Sequence, residues 1–340
     1  MRRSGRTAGT GTILGALAVL LASPGMGPAA APGAPSSLTV RTGKQVTLLG
    51  DRALGLREFP DGAIAVVSRS PKVRLLVSSG VSSFLVEGRR LDALDRAERV
   101  LAPGKPGEFD NGYAGISGAW RDPAGRLYAF YHAEDHEGLG RFGNNVPGFY
   151  CRAALAVSDD DGRAFTKMGP VVTSAQVKEP GGPFDQGCGE LCVVAERDGC
   201  HLYMYYADHS RVGGRGVQIC LARAPIEGGA PAPGTWKKYH QGAFGEDGLG
   251  GQDTPVVSAG GIPADATFPH VTWSRALGVY VMVFNVVAYL EHPESGKERR
   301  PGRSGIYWAW SADGISWSEP RQLLRAYSMW SSAGEDRRRS

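Results

Sequence analysis

An all-β fold made of four-stranded antiparallel units in series, a β-propeller, is what this 340-residue sequence predicts, and three observations predict it. Strand-length apolar runs come in pairs joined by turns of Gly, Pro, Asp and Asn. The last three pairs are each followed by an insert, a third strand, and a fourth that opens on a turn and an aromatic residue. Two of those turns share one grammar, Ser158, Asp160, Gly162 and Phe165, then Ser311, Asp313, Gly314 and Trp317. In each, serine and aspartate oxygens fold back onto backbone N–H groups, glycine takes the positive-φ position and the aromatic ring packs on the neighbouring strand.

The paired strands are Ala63–Val67 with Val73–Val77, Ala114–Ala119 with Leu127–His132, Glu190–Ala195 with His201–Ala207, and His270–Ser274 with Val279–Asn285. Third strands fall at Arg152–Val157, Val217–Arg223 and Gly305–Trp310, and fourth strands begin near Phe165, Trp236 and Trp317. Helix spacing occurs only at Leu91, Leu94, Ala97 and Val100, a stretch barely long enough for one helix. The unit is longer than the ~40 residues of a WD40 blade, so inserts are built into each blade, and inserts on one face are where a propeller places its binding surface. Short strands at regular spacing also suit a β-sandwich; the ordered recurrence favours the propeller.

The N-terminus reads as a secretory signal over residues 1–31: Arg2, Arg3 and Arg6, an apolar run from Ile13 to Ala22, and the small residues Ala29–Ala31. Residues after Arg2-Arg3 do not strengthen a twin-arginine route. Residues 32–37 are a flexible spacer, 38–327 the propeller domain and 328–340 a polar tail. The apolar run is short of the roughly 20 residues a membrane span needs. Removing the signal takes away three arginines and no acid, and the formal charge falls from +4 to +1. That near-neutral balance, with bases scattered among acids except at Arg337–Arg339, argues against nucleic acid and for a neutral small molecule or polysaccharide. An exported chain permits disulfides among Cys151, Cys188, Cys192, Cys200 and Cys220, with connectivity open; the competing zinc site, Cys188, Cys192, Cys200 and His201, has the spacing of no common ligand knuckle.

Four segments, Tyr128–His132, Leu202–Asp208, Tyr280–Asn285 and Tyr307–Trp317, resemble the five-bladed β-propeller glycoside hydrolases, the broad group of arabinanases, β-xylosidases, levansucrases and invertases, with Asp-box-like turns. The resemblance implies five blades where four can be delimited. Either residues 38–50 with the segment after Leu324 complete a fifth blade, or the closing blade is incomplete. It also implies carboxylates at the starts of the innermost strands, converging on the axis, to hydrolyse a glycosidic bond in an oligosaccharide or polysaccharide. Those starts carry an aromatic followed closely by Asp, as at Phe59-Pro60-Asp61, Phe109-Asp110 and Phe184-Asp185.

Glycoside hydrolysis needs one carboxylic acid to protonate the leaving oxygen and one carboxylate to activate water or attack. Glu190, entering an apolar strand, is the expected acid, because burial raises a carboxyl pKa. Asp110 or Asp61 is the expected base and Asp185 an orienting partner, although each aspartate also has the sequence of an ordinary turn cap. Candidate substrate-binding residues are Tyr113, His132, Glu134, Asp135, Asp208, His209 and His270. The chemistry requires no cofactor, and the loop of His132, Glu134, Asp135 and His136 offers oxygens to a Ca²⁺ ion or to sugar hydroxyls. A carbohydrate-binding propeller without catalysis is the competing reading. A sialidase-like hydrolase is a third, for which Arg152, Arg211, Arg215 and Arg275 are dispersed. No Gly-x-Ser-x-Gly elbow occurs, and Gly248–Gly251 leads into no helix that would cradle phosphate. N-terminal sequencing of protein recovered from the culture medium is expected to begin just past Ala31; recovery only from cells, starting at Met1, would overturn the export reading.

Overall fold

The computed structural model describes residues 40, 41, 43, 53–57, 62–142, 146–211, 216–226, 231–258, 264–288 and 303–325. Within them lie nineteen strands and one short 3₁₀ turn at Ala53–Gly55. Blade I consists of β1 (Ala65–Ser68), β2 (Val73–Ser79), β3 (Ser82–Arg90) and β4 (Ala93–Leu101). Blade II is β5 (Tyr113–Arg121), β6 (Leu127–Asp135), β9 (Phe149–Ser158) and β10 (Thr166–Val172), with the two-residue strands β7 (Arg141–Phe142) and β8 (Val146–Pro147) in its insert. Blade III is β11 (Asp185–Ala195), β12 (His201–Asp208), β13 (Gln218–Pro225) and β14 (Lys237–His240), extended by β15 (Ala243–Asp247). Blade IV is β16 (Ala264–Ser274), β17 (Val279–Ala288), β18 (Gly305–Ser311) and β19 (Arg321–Arg325).

Each blade pairs antiparallel in chain order, and the blades stack face to face. Leu76 and Leu85 of blade I meet Ile116, Ala129 and Tyr131 of blade II in one buried seam. Tyr128, Phe130 and Leu155 on the other face of blade II meet Leu191, Met204, Tyr206 and Trp236 of blade III. Tyr203, Tyr205 and Leu221 then meet Tyr280, Met282 and Phe284 of blade IV. Four-stranded sheets whose two faces enter successive seams are the blade arrangement of a propeller. Residues 44–50 and 326–340, expected to contribute to a fifth blade and the tail, lie outside the described residues, as do the signal and spacer of residues 1–37.

The helix-spaced stretch is β4 instead, an edge strand whose Ala97 pairs with Val86. Its apolar side packs on β3 while Asp95, Arg96 and Arg99 face outward, and tertiary pairing overrides the short helical period. The expected disulfides are absent: all five cysteines are free thiols. Cys188 on β11 and Cys220 on β13 are separated by β12, about 10 Å across two strand spacings and beyond the roughly 4.4–6.8 Å that a bridge spans. Cys192 enters the opposite seam from Cys188, and Cys200 is exposed at the β11–β12 turn, so the competing zinc ligands do not converge either. Burial pushes the Cys188 and Cys192 thiols up to about 12, which leaves them protonated and inert.

Both Ser-x-Asp turns close as the sequence predicts. Ser158 Oγ accepts the Gly162 N–H at 2.7 Å, and Asp160 Oδ1 accepts from Arg163 and Ala164, each at 3.0 Å. Ser311 Oγ takes the Gly314 N–H at 2.8 Å, and Asp313 Oδ1 takes those of Ile315 and Ser316. Replacing Ser158 by Ala strands a buried N–H, and an equilibrium urea titration is expected to show about 1–3 kcal/mol of lost stability with an unchanged slope.

Candidate active site

The start of a blade's first strand, the end of its second and the start of its third lie at one end of the blade, because successive strands are antiparallel. At that end of the blade II–blade III seam the chain collects a contiguous polar cluster. On β6 the side chains alternate, so His132 and Glu134 continue the row of Tyr128 and Phe130 into this seam, and His136 follows one step past the strand end. Glu134 is held between the two imidazoles: His132 Nε2 lies 2.9 Å from Oε1, and His136 Nε2 lies 2.6 Å from Oε2.

The opposite wall comes from β11. Its first residues, Asp185 to Gly187, pair parallel with Phe149 to Cys151 of β9, a ladder that ties blade III to blade II at the site. Gly189 then passes so close to His132 that a Cβ there would lie 2.1 Å from Nδ1. A bulge follows between Gly189 and Cys192, and in it Glu190 takes a left-handed backbone with φ of 48°. The Glu190 N–H, released from the ladder, donates to His132 Nδ1 at 2.9 Å. With Nδ1 accepting, Nε2 carries the imidazole proton and donates it to Glu134.

Beyond Glu190 stands His209, at the turn that ends β12. Its Nδ1 donates to Asp185 Oδ2 at 2.9 Å, and its Nε2 lies 3.6 Å from Glu190 Oε2, a charge contact longer than a hydrogen bond. Both of those last atoms are buried and otherwise without a hydrogen-bond partner. Arg211 Nη2 donates to Asp185 Oδ1 at 2.6 Å. Phe149 sets its ring edge-on to His132, Phe184 and His209, and Tyr113 sits edge-on to His132 at 5.5 Å.

The charges follow from these contacts. Burial works to raise Glu134, but the hydrogen bonds from His132 and His136 outweigh it and hold the carboxyl down at about 2. Asp185 likewise resists its burial through His209 and Arg211 and lies at about 2. Burial pulls His209 down, yet the charges of Glu190 and Asp185 more than offset that and carry it to about 10, so at neutral pH it is an imidazolium.

No family model matches the sequence, and no curated protein matches it. Solved structures do match by shape. An endo-arabinase from Bacteroides thetaiotaomicron aligns over 78% of this chain and 81% of its own, with a TM-score of 0.45 and 14% identity. An α-L-arabinofuranosidase from Fusarium graminearum aligns over 81% and 70%, with a TM-score of 0.46 and 11% identity. An α-L-arabinanase of Cellvibrio cellulosa, solved with arabinohexaose, aligns over 76% of both chains, with a TM-score of 0.47 and 11% identity. The chain is similar in fold to solved glycoside hydrolases.

Of the residues the sequence singles out, Glu190, Asp185, Tyr113, His132, Glu134 and His209 are brought together. Asp110 is not among them: it is fully buried in the blade I–blade II seam, where Lys167 Nζ lies 2.5 Å and Tyr131 Oη 3.1 Å from its Oδ2. Asp135, one step along β6 from Glu134, turns to that same side and meets Lys178 at 2.9 Å and Asn111 at 2.8 Å. His270 is exposed on β16 and joins none of these contacts, and Asp61 lies outside the described residues.

Asp208 lies in the blade II–blade III seam and belongs to a second buried group. Burial and the charge of Asp253 raise it to about 6. Its carboxylate, the Cys220 thiol and the Asp253 carboxylate converge within 4.8 Å of one another. The fully buried Lys238, whose ammonium lies 3.1 Å from Asp253 and also donates to Gly251 O at 2.7 Å, already supplies a cation there. Lys238 has no signature in the sequence. The two imidazoles on Glu134 do: His-x-Glu-x-His at a strand end puts all three side chains on one face.

The His209 pair sets a pH signature. A folded value near 10 against an ordinary 6.5 stabilises the fold fully below pH 6.5, and this is lost as pH rises through 10. Glu134 and Asp185, depressed to about 2, contribute above their ordinary values of 4.5 and 3.8 and lose that contribution as pH falls through 2. Thermal melts are therefore expected to show the largest gap between the parent and His209→Gln between roughly pH 4.5 and 6.5, closing on the alkaline side; a gap independent of pH would overturn the imidazolium assignment.

Proposed function

We propose that the protein is an exported hydrolase of glycosidic bonds in a neutral oligosaccharide or polysaccharide, and that Glu190 and Glu134 are its two catalytic carboxyl groups. The observation that supports it is that both reach His132 from opposite walls, Glu134 held ionised by two imidazoles and Glu190 with a buried Oε2 committed to no hydrogen bond. An ionised carboxylate opposite a proton-exchanging carboxyl is the pair this reaction needs.

In this reading Glu190, whose charge supports the His209 imidazolium in the free protein, takes up a proton when substrate binds and gives it to the leaving oxygen. The negative charge restored to it again faces that imidazolium at 3.6 Å, a fixed countercharge in a buried site. Asp185 and Arg211 hold that imidazole and so act through it. Glu134, ionised across the working pH range, attacks the anomeric carbon or activates water. Tyr113, Phe149 and Phe184 supply apolar ring surface of the kind sugar faces pack on. Asp110, buried against Lys167 in another seam, leaves the base role to Glu134.

The complete engagement of both Glu134 oxygens and of Asp185 also fits a propeller that binds carbohydrate without cleaving it. Reducing-sugar release from a panel that includes arabinan, xylan, galactan and levan separates the two. Release by the parent, with Glu190→Gln and Glu134→Gln each down about 10²–10⁴-fold while still folded at the assay temperature, is the expected result. Retained polysaccharide binding with no release by the folded parent would select the binding reading.

A further inference from the structure

The geometry points to His132 as the positioning residue of this site, the one side chain that fixes Glu190 relative to Glu134 across the boundary between two blades. The inference rests on the hydrolase reading for its kinetic consequence, while its structural content stands without it.

Glu190 is held where an ordinary strand would not hold it. A non-glycine residue at φ 48° is in a strained left-handed conformation, and it persists only where neighbours specify it. Leaving the ladder at the bulge also frees the Glu190 N–H, which inside a protein must find a partner. The partner is His132 Nδ1 at 2.9 Å, from the second strand of the preceding blade. The same ring, through Nε2, reaches Glu134 Oε1 at 2.9 Å. One imidazole thus spans from the backbone of one carboxyl-bearing residue to the side chain of the other.

The ring has little freedom to do anything else. It is 6% exposed, with Tyr113 and Phe149 edge-on at 5.5 and 6.1 Å and the backbone of Gly189 against it. The contacts admit one neutral tautomer, Nδ1 bare and Nε2 protonated. Were Nδ1 protonated, two N–H donors would face each other across 2.9 Å and the Glu190 bulge would have no acceptor. His132 is therefore a rigid brace whose lone pair sets one carboxyl and whose proton sets the other. It touches neither water nor leaving group in this scheme.

Asparagine and glutamine split the two functions of the ring. Asn carries an acceptor near the place of Nδ1, and Gln carries a donor near the place of Nε2. With the parent active, His132→Gln is expected to lower kcat by about 10²-fold with KM within about twofold, the effect of a misplaced catalytic group. His132→Asn is expected to retain kcat within about tenfold, because the Glu190 N–H keeps its acceptor while His136 still holds Glu134 through Oε2. Equal loss in both variants, or a rise in KM at constant kcat, would overturn the proposal.

Two readouts hold even if no substrate is cleaved. In protein labelled with ¹⁵N-histidine, His132 is expected to show a bare Nδ1 and a protonated Nε2 at pH 7; the opposite tautomer, or an imidazolium, would overturn the proposal. In protein labelled with ¹⁵N-glutamate, the Glu190 amide is expected to exchange with solvent faster in His132→Gln and at the parental rate in His132→Asn. Unchanged exchange in both would also overturn it. Tautomer and exchange as expected, with an inactive parent, would sink the hydrolase reading and leave the positioning role standing.

Discussion

Every interior sheet of this protein is covered on both faces by other sheets, and that constraint governs the rest of the structure. A strand buried on one face can send its polar residues to water; a blade of a propeller cannot, so alternate residues along its second strand enter two different seams. On β6 this separates Tyr131, which reaches Asp110 in the blade I–blade II seam, from His132, which reaches Glu190 in the blade II–blade III seam. Neighbours in sequence are thereby committed to different chemistry.

Polar groups that enter a seam must arrive with partners, and the structure meets this requirement with mixed pairs. Lys167 meets Asp110, Lys238 meets Asp253, Arg74 meets Glu87 at 2.8 Å, and His209 meets Asp185. Where one partner is removed from such a pair, the charge left behind is costly, which is why buried ion pairs are stringent about sequence even where they add little net stability. Glu190 departs from this rule at the site, where its Oε2 faces the His209 charge without completing a hydrogen bond. A buried carboxylate oxygen in that condition is free to take a ligand or a proton.

Among the described residues, the joint between blades II and III differs from its neighbours in carrying a parallel ladder, from β11 to β9. It requires the backbone of Gly187, at φ 89°, to run against Cys151, where a Cβ would lie 2.2 Å from the carbonyl oxygen. The ladder places Asp185 and the Glu190 bulge over the end of β6. The site is thus a product of how two blades are joined, with the aromatic edges of Phe149 and Phe184 packed over the joint.

Local chemistry determined what the sequence shows by itself. Paired apolar runs gave the hairpins, and Ser158 with Asp160 and Ser311 with Asp313 gave their turns, because those bonds join residues within a few positions of one another. Glu190, Asp185, His132, Glu134 and His209 were legible as polar residues at strand ends, the places a propeller exposes on one face. The cysteines misled, since an N-terminus read as a secretory signal permits disulfides but cannot say that a strand lies between Cys188 and Cys220. Which carboxyls meet was decided by tertiary structure alone. A single step along a strand moves a side chain from one seam to the next, so Asp110 and Glu134 could be sorted only once the register of β6 against its neighbours and the bulge at Glu190 were fixed.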